Sequence, residues 1–300
     1  MSFLRRSIPA TRLALVSAAL FTAGCATRPA TPVPDAQPVR MAPPDTAPPA
    51  PADSLSPAFH AQFDTADARA RAIVYWMQCV ATVARLRTEG RFGPAARAPR
   101  ALHCQRTADG VPIGGVYDID SAFATVRRLQ LVRLDGARPA YTGALDTAQI
   151  ARGAKLVRTV SALVTPTWTR RGRPFSVVPV SAANGSPEAW VVPRATKARS
   201  FVTGGDVGYA AGEGAAAPVL IADRTATWTQ LTLPASGPLR IYSSVKDIAA
   251  VADLATARYH AELGRTVSVS TPAAVSTLSA GLDPATGSRW VWSHRAVLPR

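Results

Sequence analysis

The chain has 300 residues, is 47% hydrophobic and contains 26 prolines. That is enough apolar material for one or two domains with sizeable cores, which excludes a chain disordered throughout. The formal charge is +15, nearly all of it arginine because the only lysines are Lys155, Lys197 and Lys246, and arginine's planar donor fork suits phosphate and carboxylate, so anionic partners are admitted. The arginines are scattered in the manner of a solvated surface rather than clustered as a nucleic-acid footprint, so nucleic acid is a disfavoured partner.

The N-terminus opens with Arg5, Arg6 and Arg12 and continues through the apolar run "LALVSAALFTAG". That order is the layout of a secretory signal, and the run is too short to span a bilayer permanently. In "LFTAGCATRPA", Ala23 and Gly24 lead directly into Cys25, and this stretch resembles the lipobox of bacterial lipoproteins, with Thr22 where that family usually carries leucine. The resemblance covers only the first 26 or so residues. It implies diacylation of the Cys25 thiol, cleavage before it and acylation of the new amino group. Two or more acyl chains hold a protein stably on a bilayer. Ala26 in place of aspartate implies the outer membrane, facing the periplasm. The alternative is an ordinary cleaved signal with an incidental cysteine.

Prolines then recur from Pro29 to Pro57 with few large apolar residues between them. Such a segment cannot bury enough surface to offset the entropy of ordering, so it is expected to stay extended. At ~3.1 Å per residue, about 30 residues reach roughly 90 Å. The expected organisation is therefore a signal at 1–24, a tether at 25–57 and a globular region at 58–300, which could be two halves meeting near residue 165.

With Cys25 assigned to lipid, Cys79 and Cys104 remain as an even pair in an exported chain, and an oxidising compartment favours a disulfide between them. It would close a loop of about 25 residues and staple a helix to the following strand. The alternative is a reactive Cys104 beside His103. Neighbours on a strand point to opposite faces, so His103 is poorly placed to deprotonate it.

The first helix is expected over residues 65–89, capped by Asp64 or Thr65 and ended by Gly90, with Ile73, Trp76, Met77, Val80 and Val83 on its buried face. Two hairpins follow, around Asp109-Gly110 and Asp135-Gly136. A second helix at 146–164 starts at Asp146. After Pro166 come a hairpin around Asn184-Gly185 and short strands in "RSFVTGG", "PVLIAD", "ATWTQLTL" and "LRIYS". A third helix is expected at 245–263, a short helix in "TPAAVSTLSAG" with Pro272 at its first position, and a last strand in "SRWVWSHRAV". Hairpin-joined strands are antiparallel, so the expected fold is α+β: antiparallel sheets with about three flanking helices.

Several motifs could carry chemistry. Ser243 and Lys246 fit Ser-x-x-Lys, the acylated nucleophile and activating lysine of penicillin-binding proteins and serine β-lactamases, but no Lys-Thr-Gly accompanies them. The bland alternative is a capping box, Ser244 with Asp247. Asp118 and Asp120 lie two apart, on one face of a strand, where paired carboxylates could hold a hard cation; the simpler reading makes Asp120 a turn residue. His60, His103, His260 and His294 have no metal-ligand spacing. The glycine-rich "TGGDVGYAAGEG" lacks a P-loop lysine and reads as a mobile surface loop. Trp168, Trp190, Trp228, Trp290 and Trp292 fall on expected strands, as sugar platforms or, more simply, as core. The basic "TRRGRP" at 169–174 could meet lipid phosphates.

No coherent catalytic set and no cofactor signature emerges. The expectation is a lipid-anchored envelope protein, bound to the bilayer through acylated Cys25, whose α+β region binds or scaffolds an anionic component or another envelope protein. The alternatives are a hydrolase using Ser243 and Lys246 and an extracytoplasmic ligand sensor with a closed pocket.

Overall fold

The computed structural model describes residues 55–89, 101–106, 112–119, 126–133, 146–182, 184–212, 217–243, 245, 248–282 and 289–297. The chain divides into Met1–Ala50 and Pro51–Arg300, and all described residues belong to the second unit. Cys25, Asp120, Lys246, Asp109-Gly110 and Asp135-Gly136 lie outside the described residues.

Helix α1 (Pro57–Thr88) begins two turns before the expected cap. Ser56 supplies the cap, its Oγ accepting the Phe59 amide at 3.2 Å, with Pro57 in the first helical position. Thr65 instead donates its hydroxyl back to the Ala61 carbonyl. At about 1.5 Å per residue the helix is roughly 48 Å long, so it can serve two separate cores. Phe63, Ala66, Ala70, Ile73 and Val74 enter the main core. Farther along, Cys79 and Val83 pack on Val116, Leu102 and Cys104 of a three-stranded antiparallel sheet, β1 (Ala101–Arg106), β2 (Pro112–Ile119) and β3 (Val126–Arg133). Cys79 and Cys104 are joined by a disulfide, with Cα atoms 6.2 Å apart, which fastens the helix to β1 as expected. The Tyr75 hydroxyl adds a second fastening by accepting the Ile113 amide at 3.2 Å.

Helix α2 (Thr147–Arg170) is capped by Asp146, whose carboxylate accepts the Gln149 amide at 3.0 Å. It runs through Pro166 rather than ending there. Proline costs a helix one hydrogen bond, but Val164 and Trp168 on either side of it continue the buried stripe of Ile150, Leu156 and Val160, and that burial carries the helix onward. Trp168 is thus a helical core residue, not a strand residue.

The stripe packs on a second antiparallel sheet, in the order β4 (Phe175–Ser181), β5 (Pro187–Pro193), β7 (Val207–Ala210) and β8 (Val219–Asp223). The β4–β5 hairpin turns at Asn184-Gly185, where Gly185 takes φ +78° and the Asn184 side chain accepts the Ser186 amide. Strand β6 (Ser200–Thr203) pairs with β9 (Thr229–Thr232).

The last sheet has the order β10 (Leu239–Tyr242), β11 (Val267–Ser270), β12 (Ala274–Ala280) and β13 (Trp290–Ala296). Its first pair is parallel, because β10 reaches β11 through helix α3 (Val251–Glu262). The third helix therefore starts later than residue 245 and is buried almost all round, from Val251 to Ala261. The expected short helix at 271–281 is instead strand β12. Ala274, Ser276 and Leu278 are buried in alternation, and Thr271 forms the turn by accepting the Ala273 and Ala274 amides. The architecture is α+β, with antiparallel sheets predominating. Among the described residues no helix is long and apolar enough to cross a membrane.

Candidate functional site

Near the N-terminal half of α1 a cleft of about 420 Å³ opens between Thr65 and Arg69 of that helix, Trp190 of β5, Ile221 of β8, Arg224 and Val251. Both arginines in it already have partners. Arg69 grips Glu188 with two parallel bonds, Nε to Oε2 at 2.9 Å and Nη2 to Oε1 at 2.7 Å. Trp190 donates its indole N–H to the same carboxylate at 2.8 Å, so buried Glu188 is well satisfied. Arg224 reaches inward to Asp206, Nη1 to Oδ2 at 3.4 Å. The cleft thus presents apolar walls and neutralised cations, a poor match for a strong anion.

Behind Arg224 lies a polar cluster that no sequence motif announces. Asp206 and Asp253 are both fully buried. The Gly204 amide donates to Asp253 Oδ1 at 2.7 Å, while Asp253 Oδ2 and Asp206 Oδ1 have no hydrogen-bond partner. Gly204 and Gly205 take φ +61° and +80°, and a Cβ on either would collide with Thr227 or Trp228. Thr227 stitches this turn to the neighbouring segment, accepting the Gly205 amide and donating to the Arg224 carbonyl. Of the supposed surface loop, Thr203 through Gly208 are buried, and Val207–Ala210 form strand β7. Glycine here serves close backbone approach rather than mobility.

Burial pushes the Asp253 carboxyl up to about 6, opposed by the Ser243 hydroxyl and the Gly204 amide and reinforced by the neighbouring Asp206 charge. Asp206 is also raised by burial, against the pull of Arg224. A carboxyl raised in the fold stabilises the protein below its unfolded value and loses that contribution as pH rises through about 6. Asp253→Asn keeps the acceptor for Gly204 without the charge. It is expected to raise stability at pH 7.5 by roughly 2–3 kcal/mol and to flatten the fall in stability between pH 4 and 7. Urea unfolding of both proteins across that range checks this; parallel profiles would contradict it.

Among the described residues, the sequence-derived candidates sit on separate elements. Ser243 is buried, 6% exposed, and its Oγ accepts the Ala250 amide at 3.3 Å, so it braces the entry to α3. Its partner Lys246 is outside the described residues, as is the proposed Ser244–Asp247 capping box. Asp118 sits on β2 opposite Arg127 of β3. His103 lies on β1, and Cys104 is taken by the disulfide. Trp190 is buried beneath Arg69, and Trp228 ends a short 3-10 turn with Arg173 stacked 4.8 Å from its ring, so neither offers a free sugar platform. Among the described residues no three His, Cys, Asp or Glu side chains gather as metal ligands. Asp206, Asp253 and Arg224 escaped sequence reasoning. The available signal was Asp253 itself, an acid inside the otherwise apolar and alanine-rich "AAVADLATA". No family model, curated protein or solved structure matches this chain.

Proposed function

We propose that the chain is a bacterial envelope lipoprotein, moored through acylated Cys25 on the periplasmic face of the outer membrane, whose α+β unit binds or scaffolds an envelope component. The observation that carries this reading is the Cys79–Cys104 disulfide, because such bonds persist in oxidising compartments and the N-terminal signal directs the chain to one. The lipobox resemblance at Cys25 and the proline-rich stretch after it supply the anchor and the reach. A binding role fits the cleft between α1, β5 and β8, which has apolar walls and an internally satisfied polar lining. The hydrolase reading is weakened at Ser243, whose hydroxyl is buried and engaged with the Ala250 amide.

Cys25→Ser tests the anchor. Wild-type protein is expected in the membrane pellet and labelled by radioactive palmitate, and the variant in the soluble periplasmic fraction without label. Equal partition of the two would overturn the reading.

A further inference from the structure

A second concavity, of about 270 Å³, lies between α1, α3 and the β5–β6 connection. Its walls are apolar: Val74 and Met77 from α1, Phe201 from β6, Ala255 and Tyr259 from α3. Met77 and Tyr259 at its rim are 42% and 45% exposed, which leaves apolar surface uncovered where a ligand would enter. His260 also lines it. That side chain is 93% buried by its 7% exposure, and its Nδ1 has no hydrogen-bond partner, an unspent polar group in an otherwise oily wall.

The rim is basic and preorganised. The connection from Arg194 to Ser200 carries Arg194, Lys197 and Arg199 and no acid, and among the described residues none of the three has a carboxylate partner. Arg194 and Ser200 line the groove directly. Gln230 holds the connection in place: it accepts from the Thr196 amide at 3.0 Å and hydroxyl at 2.8 Å, and donates to Ser200 Oγ. Ser200 in turn donates to the Lys197 carbonyl at 2.6 Å. Arg199 takes φ +54°, a left-handed conformation uncommon for a non-glycine residue, and its carbonyl accepts the Leu233 amide at 2.8 Å. This contrasts with the first cleft, whose arginines are consumed by Glu188 and Asp206.

We infer that this groove binds a single-chain amphiphilic anion, an acyl carboxylate, with its tail along Val74, Met77, Phe201 and Ala255 and its carboxylate at Arg194. The volume lies just below the usual range for small-molecule pockets of about 300–1,000 Å³, which selects a medium-length chain over a two-chain lipid. A cationic head would meet the like charge of Arg194, and a polyanion without a tail would leave the apolar wall wet. The inference rests on the groove alone and stands or falls independently of the Cys25 anchor.

The test is titration calorimetry on the full chain carrying Cys25→Ser, exported so that Cys79 and Cys104 pair, against decanoate, decanol and decyltrimethylammonium. The expected result is one decanoate per chain, with decyltrimethylammonium at least about fivefold weaker, as opposed charges at an exposed rim predict. Arg194→Glu, an exposed substitution, should weaken decanoate by about fivefold or more and leave decanol nearly unchanged. Thr256→Trp should fill the groove and remove both, with an unaltered thermal unfolding midpoint confirming that it folds. If Thr256→Trp fails to fold, Arg194→Glu decides alone. Absence of decanoate binding, equal binding of the cationic amphiphile, or decanoate binding indifferent to Arg194→Glu would each overturn the inference.

Discussion

Replacing Asp67 with alanine is expected to destabilise the protein by about 3–5 kcal/mol, the usual cost of leaving one partner of a buried ion pair uncompensated. Asp67 and Arg258 are both buried, in α1 and α3, and the guanidinium meets both carboxylate oxygens, Nε to Oδ1 and Nη2 to Oδ2. Trp292 of β13 donates its indole N–H to Asp67 at 2.9 Å, and Arg71 approaches at 3.5 Å from one turn along. A single carboxylate therefore ties three elements together. Urea unfolding with the disulfide intact measures the loss. The double variant Asp67→Leu with Arg258→Met removes both charges and should recover most of the stability, because a buried pair replaced by apolar groups is often nearly neutral. A single variant within about 1 kcal/mol of wild type would show that water reaches Arg258.

The second large effect is expected at the disulfide. Cys79→Ala with Cys104→Ala opens a loop of sequence separation 25, and the chain-entropy relation assigns that closure about 3.5 kcal/mol. The loss should be local as well as global. Among the described residues, the core that the three-stranded sheet shares with α1 is small, around Val83 and Val116, so the fastening supplied by Cys79 and Cys104 is a large part of what ties the sheet to that helix. Amides of β1 and β2 should exchange with solvent much faster in the variant, while those of β5 and α3 change little. A lower guanidinium midpoint together with that exchange pattern is the expected outcome; an unchanged midpoint would contradict it.

What could be read from the residues alone follows a physical line. Local signals worked: Asp146 as a cap, Asn184-Gly185 as a turn and the Cys79–Cys104 pairing all depend on chemistry within a few residues or on compartment. Signals overridden by packing did not. Pro166 reads as a helix stop, yet the buried stripe through Val164 and Trp168 carries α2 past it. "TPAAVSTLSAG" is helix-compatible, yet β11 and β13 on either side recruit it as a strand. Helix α3 has no amphipathic period because it is surrounded by core, so periodicity could not place its start. The carboxylates Asp206 and Asp253 lie 47 residues apart in the sequence, and nothing local to either foretells that the Gly204-Gly205 turn brings them together. The same holds for Arg194 and His260, which meet only across the groove.

We propose that this disulfide-stapled unit hangs from a membrane by fatty acids on its own N-terminus. Intact-mass spectrometry of the protein recovered from bacterial envelopes measures that directly. The expected mass corresponds to a chain beginning at Cys25, carrying a thioether-linked diacylglyceryl group and an N-acyl chain, and short by two hydrogens for the Cys79–Cys104 bond. A mass matching an unprocessed N-terminus, or a cleaved chain with no acyl group, would contradict it.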